Sequence, residues 1–160
     1  MPRPAQDLTS VRAATPSDVP AIARIHRAAF SAALPWIPTL HTPEEDTAYF
    51  RELVTDQLCF VAEAEGTVLG FAAWRDGWLN QLYVQPEMQN AHVGSRLLHQ
   101  VTQHHQSVMP THSLALWTFQ RNQGARRFYE RQGFEAVEFT DGSSNEEHEP
   151  DVRYTWRSTQ

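Results

Sequence analysis

The spacing of apolar positions divides the chain into alternating helical and extended stretches. Val11-Arg-Ala13 followed by Thr15-Pro-Ser-Asp18 reads as a short strand running into a helix, with Ser17 as its N-cap. Ile22, Ile25, His26 and Ala29 then recur at helical spacing, which predicts a first helix over about 18–30. Next, Ala33-Leu-Pro-Trp-Ile-Pro-Thr-Leu40 sets two prolines among bulky apolar residues, so it is a loop with apolar surface to bury, with Trp36 expected in the core or, alternatively, as a lid. Thr42 followed by Pro43 and the acids Glu44, Glu45 and Asp46 supplies an N-cap, a proline at the first helical position and a negative first turn. A second helix running to about Val54 follows from that.

From Leu58 the period changes from helical to extended. Strands are predicted over 58–64, 67–74 and 78–84, with Glu65-Gly66 and Asp76-Gly77 as the turns of a three-strand antiparallel meander. After Gln85-Pro86, Val93, Leu97, Leu98 and Val101 share one helical face, on a helix ending near Gln106. Ser113 to Thr118 is a further strand, and Asn122 to Gln132 a further helix closed by Gly133 at its C′ position. Two last strands, about 135–139 and 152–156, flank an acidic loop. The order βααβββαβαββ is that of an α/β chain whose mixed sheet is covered by helices.

Composition agrees with one folded domain spanning 1–160, because 160 residues with 41% apolar content can bury a single core. No run of eighteen apolar residues exists, and Met1-Pro2-Arg3-Pro4 lacks the apolar stretch of a signal peptide. No membrane partner is expected, and the expected compartment is the cytoplasm. All 13 basic residues are Arg. Without a lysine the chain cannot carry a phosphate-loop lysine, a Schiff-base lysine or the strand lysine of protein kinases. Cys59 is the single cysteine, set in the apolar run Leu58 to Ala62, and is expected in the core. Asp141, Glu146, Glu147, Glu149 and Asp151, with no Lys or Arg among them, account for most of the net charge of −6. The rest of the chain is near neutral and offers no basic footprint for nucleic acid. The acidic segment either attracts a cationic substrate or is a solvated loop. His104 and His105 are adjacent and His99 precedes His104 by five, so they lack the i, i+4 spacing of a metal pair, and no metal is predicted.

Two segments carry candidate chemistry. Leu82 to Leu98 is a strand, a turn and a helix, and a helix N-terminus with free backbone N–H groups can hold a phosphate without any lysine. Read alone it is also an ordinary strand-to-helix turn, since Gly94 is its only glycine. In Asn122 to Phe134, Asn122 caps a helix, Ala125, Phe128 and Tyr129 share a face, and Gly133 ends it. Alone, Tyr129 reads as a core aromatic with its hydroxyl at the rim.

Together the two segments resemble the GCN5-related N-acetyltransferase superfamily. Its acyl-CoA loop reads Q/R-x-x-G-x-G/A after a strand, and its later helix often reads N-x-x-A-x-x-F-Y-x-x-x-G-F. Asn122, Ala125, Phe128, Tyr129, Gly133 and Phe134 match the second pattern at every fixed position. Gln89 and Gly94 match the first, whereas His92 stands where the family has its first glycine and Asn90 stands at another position that is often glycine. The resemblance runs from about Val11 to Trp156. It implies a largely antiparallel mixed sheet of six or seven strands flanked by four helices, with a splayed central strand pair.

The resemblance also implies a site. The pantetheine arm of acetyl-CoA would insert beside the strand 81–84, with Leu82 and Val84 as backbone partners and 113–118 as the neighbouring strand. The residues Gln89, Asn90, Ala91, His92, Val93, Gly94 and Ser95 would hold the pyrophosphate, and Asn122 would contact the cosubstrate near the next helix. Tyr129 would be the general acid for the departing thiolate, and the backbone N–H of Leu82 would stabilise the carbonyl oxygen. Leu79-Asn-Gln-Leu82 carries no carboxylate. A general base is therefore expected from a water held by Asn80 or Gln81, or from His41, Glu146 or Glu149. The acceptor implied is a small, cationic primary amine, selected by the first helices, the Trp36 loop and the acidic loop. A protein N-terminus or lysine, or acyl-CoA binding without turnover, are the alternatives. Arg121, Arg126, Arg127 and Arg131 are candidates for the 3′-phosphate or for helix solvation. Homodimers are common in the family, and no segment marks an interface.

Overall fold

The computed structural model describes residues 9–89 and 92–158. Seven strands form one sheet: β1 (Thr9–Ala13), β2 (Leu58–Ala64), β3 (Thr67–Arg75), β4 (Trp78–Val84), β5 (Leu114–Phe119), β6 (Glu135–Phe139) and β7 (Asp151–Trp156). Their spatial order is β1-β2-β3-β4-β5-β7-β6. Every neighbouring pair is antiparallel except β4 and β5, which are parallel.

Four helices cover the two faces: α1 (Val19–Ala33), α2 (Pro43–Asp56), α3 (Val93–Val108) and α4 (Gln123–Arg131). Val19, Ile22 and Ile25 of α1 and Phe50 and Leu53 of α2 pack on Cys59, Val61, Phe71 and Ala73 of the sheet. On the other face Val93, Leu97, Leu98 and Val101 of α3 and Tyr129 of α4 pack on Ala72, Trp74, Leu79, Leu114 and Tyr154. Each large side chain sealed in these layers contributes about 1.5–3 kcal/mol relative to exposure. Cys59 lies in the core, as its apolar neighbours required, and burial pushes its thiol up to about 12.

The helix starts follow from their caps. Thr42 Oγ1 accepts from the Glu45 N–H at 3.1 Å and the Glu45 carboxylate accepts from the Thr42 N–H at 2.8 Å, closing a capping box ahead of Pro43. At α1 the expected cap is corrected. Ser17 lies inside a single 3-10 turn (Pro16–Asp18) and α1 begins after Asp18. The Asp18 carboxylate accepts from the Thr15 N–H at 2.8 Å and from Arg12 at 2.8 and 3.0 Å, so a longer acid reaching back to β1 fixes this entry. α1 also runs three residues past Phe30 before the prolines stop it. In the loop beyond, Leu34 and Ile37 are buried, whereas Trp36 is 41% exposed and is not part of the core.

β4 positions the site. Its pairing with β3 runs Phe71 with Tyr83, Ala72 with Leu82 and Ala73 with Gln81, then jumps to Trp74 with Leu79, leaving Asn80 as a bulge. On its other side β4 touches β5 at a single pair, Trp78 with Ala115, after which the two strands separate.

Candidate functional site

The separation of β4 from β5 leaves backbone polar groups without a strand partner. The Gln85 N–H donates to Leu69 O at 2.8 Å. By the alternation of an antiparallel ladder, Tyr83 and Gln81 also turn their backbone groups toward β3, and Leu82 and Val84 turn theirs toward the gap. The Val84 carbonyl accepts from the Gln89 side chain at 3.3 Å, whereas the Leu82 N–H faces the opening.

Two cavities lie on either side of this strand. The first, about 570 Å³, runs along the gap and is lined by Leu82, Val84, Gln89, Gly94, Asn122 and Tyr129, together with Arg121, Arg127 and Arg131. The second, about 500 Å³, lies over the other face beneath α1 and α2, against Gln81, His26, Tyr49, Trp117, Glu146 and Glu147. Phe30 and Tyr83 line both, so the cavities adjoin at those two rings.

The end of α4 sets Tyr129 at the junction side of the first cavity. Gly133, with φ +93°, turns the chain after the helix, and the Phe134 N–H returns to Tyr129 O at 3.0 Å. The Tyr129 ring is buried against Phe128, Phe134 and Tyr154, and its hydroxyl makes no hydrogen bond among the described residues. Burial, with Tyr83 adding to it, holds this phenol above its ordinary pKa, so the hydroxyl keeps its proton. Asn122 Oδ1 caps α4 by accepting from the Ala125 N–H at 3.2 Å while lining the same cavity.

The turn into α3 closes the other end of the cavity. His92 is its N-cap and adopts φ 64°, the left-handed region that glycine enters without cost. The histidine therefore keeps the backbone shape of a glycine position, with its ring at the surface. The Val93 side chain is fully buried in the core, so only its backbone can meet a ligand. Ser95 Oγ accepts from Gln132 Nε2 at 3.2 Å. An added Cβ on Gly94 would meet the Phe128 ring at 3.4 Å, which keeps α3 close to α4 there. Asn90 and Ala91 lie outside the described residues. A thin acyl-pantetheine arm fits the gap, where the Leu82 N–H and the Tyr129 hydroxyl point without protein partners. The free N–H groups at the start of the α3 helix fit a phosphate at its end.

The expected sources of a base are separated by the structure. Asn80, on the bulge, turns outward and donates to Gln57 at 2.9 Å, so it is not in either cavity. Glu149 is held by Arg121 at 2.7 and 2.9 Å and does not line the second cavity, unlike Glu146 and Glu147. His41 Nε2 and Glu146 Oε1 pair at 2.6 Å across the cavity mouth. Of the arginines, Arg126 is held by Tyr154 and the Gln120 carbonyl, whereas Arg121, Arg127 and Arg131 border the first cavity. Sequence reasoning missed His26 as a site residue, along with Tyr49 and Tyr83. Each reads as one apolar position of an amphipathic element, and only the bulge at Asn80 decides which β4 side chains face the helices α1 and α2. Among the described residues no group of three or more His, Cys, Asp or Glu is placed to hold a metal ion. No helix among them is long and apolar enough to cross a membrane.

A parallel pair that opens beside a bulged strand, with a helix N-terminus at the mouth of the gap, is the architecture of an N-acetyltransferase. The family model for the acetyltransferase (GNAT) family matches residues 20–134, and this chain belongs to that family. It is 34% identical over 80 residues to the peptidyl-lysine N-acetyltransferase YiaC of Escherichia coli (strain K12); the match takes in 49% of this chain and about half, 51%, of that protein's length. A GCN5-related N-acetyltransferase from Rhodopseudomonas palustris superposes with a TM-score of 0.79 at 21% identity, over 93% of this chain and 95% of its own. The PaiA N-acetyltransferase of Thermoplasma acidophilum, solved in complex with coenzyme A, superposes with a TM-score of 0.70 at 20% identity, over 94% and 99%. These likenesses establish the fold, and the seven-stranded sheet with its splayed pair agrees with what the sequence motifs implied.

Proposed function

We propose that this chain transfers the acetyl group of acetyl-CoA to a primary amine on a small, cationic acceptor by direct attack. The observation that supports this reading is that two cavities adjoin at Tyr83 and Phe30, one along the splayed strands and one beneath the first helices. Two substrates entering from opposite sides reach each other there without a covalent enzyme intermediate, for which no exposed cysteine is present. Glu146 and Glu147 at the wall of the second cavity favour a positive acceptor.

The residues of the chain then have distinct tasks. Backbone groups of Leu82 and Val84 align the acyl arm, and the Leu82 N–H stabilises the charge that develops on the carbonyl oxygen. The segment from Gln89 to Ser95, which ends in the first turn of α3, holds the pyrophosphate, and Asn122 flanks the arm. Tyr129 gives its proton to the departing thiolate. The buried cleft that keeps its phenol protonated disfavours the thiolate by the same desolvation, so the transfer is matched by environment. Acetyl-CoA supplies the activated acyl group.

A second reading is an amine on a protein. The acceptor cavity shares Trp117, Phe119 and Glu147 with a neighbouring space of about 430 Å³, a volume that could receive residues flanking a lysine or an N-terminus. The name of the curated relative agrees with that class. Calorimetric titration with acetyl-CoA, free CoA and a longer acyl-CoA tests the shared core of both readings, and CoA release with small diamines against peptides separates them. Micromolar binding is expected; no binding to any of the three removes the transferase assignment.

A further inference from the structure

The second cavity contains two side chains with an enclosed polar atom that has no hydrogen-bond partner, His26 Nδ1 and Gln81 Oε1. Buried polar atoms are ordinarily hydrogen-bonded, so two unpaired ones on side chains of one cavity mark a polar site rather than ordinary packing. Nδ1 is shut in, and Nε2 also makes no hydrogen bond among the described residues, so the ring meets the cavity through its Nε2 edge.

The position of His26 is more telling than its burial. Its ring meets Tyr83 edge-on with centroids 4.7 Å apart, and Phe30 at 5.6 Å. Those are the two residues that the acyl cavity and the acceptor cavity share. An amine that touches His26 therefore lies beside the two rings that border the acyl cavity. Most other ionisable groups of this cavity are committed to partners. Asp46 is paired with Arg27 at 2.7 Å, Glu146 with His41, and Glu45 with the start of α2. Tyr49 accepts from Gln81 at 3.3 Å, and Glu147, whose charge acts on Tyr83, borders the further space as well.

Resting on the acetyltransferase reading, we infer that His26 is the general base, taking a proton from the acceptor's ammonium at the junction of the two cavities. The ammonium loses one proton to the neutral imidazole. The nitrogen lone pair so exposed forms the C–N bond as the C–S bond of the thioester breaks, and the thiolate takes the Tyr129 proton. The nitrogen's second proton restores Tyr129 through the solvent of the cleft. The products are the amide, the thiol and an imidazolium that returns its proton to water.

The titratable and charged groups around the ring are Arg27 on its own helix, Glu45, Asp46 and Tyr49 on α2, Tyr83 on β4, His41 in the loop before α2, and Glu146 and Glu147 in the acidic loop. Burial among Phe30, Phe50 and Tyr83 lowers the affinity of the ring for a proton, and Asp46 opposes this without overcoming it. His26 is thus neutral at pH 7 and free to accept.

The test uses the full chain with acetyl-CoA and two probe amines, 1,4-diaminobutane and an alanyl peptide with a free N-terminus. The expected pH profile of kcat/KM rises through an apparent pKa below the ordinary histidine value, and the His26 ring titrates at the same value by NMR in the free protein. His26→Asn, and His26→Gln should the first fold poorly, lower kcat about 10²–10³-fold and abolish that limb, with acetyl-CoA affinity unchanged. Glu147→Gln raises the acceptor KM and keeps the limb. If the parent releases no CoA with either amine, the transferase reading falls and this assignment with it. If the parent turns over while the His26 variants keep the limb and kcat within threefold, the transferase stands and the assignment to His26 is overturned. A His26 ring that titrates at or above the ordinary value overturns it as well.

Discussion

The guanidinium of Arg121 lies 4.4 Å over the ring of Trp36 while its N–H groups hold both carboxylate oxygens of Glu149. One side chain thus joins the loop after α1, the acidic loop before β7 and the wall of the acyl cavity. A guanidinium can stack and bind a carboxylate bidentately at the same time, which an ammonium cannot do. Arg121→Ala is expected to raise KM for acetyl-CoA and for the acceptor together, several-fold each, with a smaller change in kcat. Arg121→Lys should behave like the alanine variant, and steady-state kinetics with Trp36 fluorescence as a reporter will show whether it does.

Tyr129→Phe removes one hydroxyl and leaves the ring among Phe128, Phe134 and Tyr154. If that hydroxyl protonates the thiolate, kcat drops by about 10²–10⁴-fold with the acetyl-CoA dissociation constant and Tm nearly unchanged. Parallel calorimetry and CoA-release assays read the two effects separately. Equal loss of binding and turnover would assign the residue to packing instead.

His92 holds a left-handed backbone conformation that costs a non-glycine residue about 1–2 kcal/mol. His92→Gly relieves that strain and adds chain entropy to the unfolded state, so its stability should match or exceed that of the parent. His92→Val should lose about 1 kcal/mol or more, since a β-branched residue resists this region most. Chemical denaturation checks both, and unchanged acetyl-CoA affinity in the glycine variant would place the imidazole outside the pyrophosphate contacts.

Asp18 stabilises the fold in a pH-dependent way. Hydrogen bonds from Arg12, and then from the Thr15 backbone, outweigh burial and keep its carboxylate below the ordinary aspartate value. A group depressed in the folded state adds stability that is complete above its unfolded value of about 3.9 and is lost as pH falls through the folded value. Asp18→Asn should therefore lower Tm at pH 7, and the gap from the parent should narrow below about pH 4. Thermal melts of both proteins from pH 7 to 2 measure this.

Much of the fold was legible because the caps and periods are local. Thr42-Pro43 with Glu45 states where α2 begins, and Gly133 states where α4 ends. Asn122 through Phe134, together with Gln89, Gly94 and the order of elements, also carried the likeness to the family. What escaped was set by tertiary geometry. The bulge at Asn80 leaves no mark in a run of alternating residues, so the inward aim of Gln81 and Tyr83 could not be read. His26 looks like any apolar position of α1 until Tyr83 is found against it. Glu149 and Glu147 are equivalent in an acidic run, and only Arg121 on a distant turn separates a latch from a cavity wall. Trp36 failed as a core residue for the same reason, because its partner is a cation 85 positions away in sequence.

The extra residue at Asn80 has a bearing on how this hairpin can change over time. It lies between Leu79, which packs with the α3 side, and Gln81, which lines the cavity under α1 and α2. Removing it would rephase the strand, exchanging the side chains offered to the two substrates or tearing the pairing with β3. Point replacements along β4 can retune the acceptor one group at a time, but loss or gain of a single residue there exchanges donor and acceptor walls together. Lineages that diversify in substrate should therefore vary the composition of this strand and conserve its length.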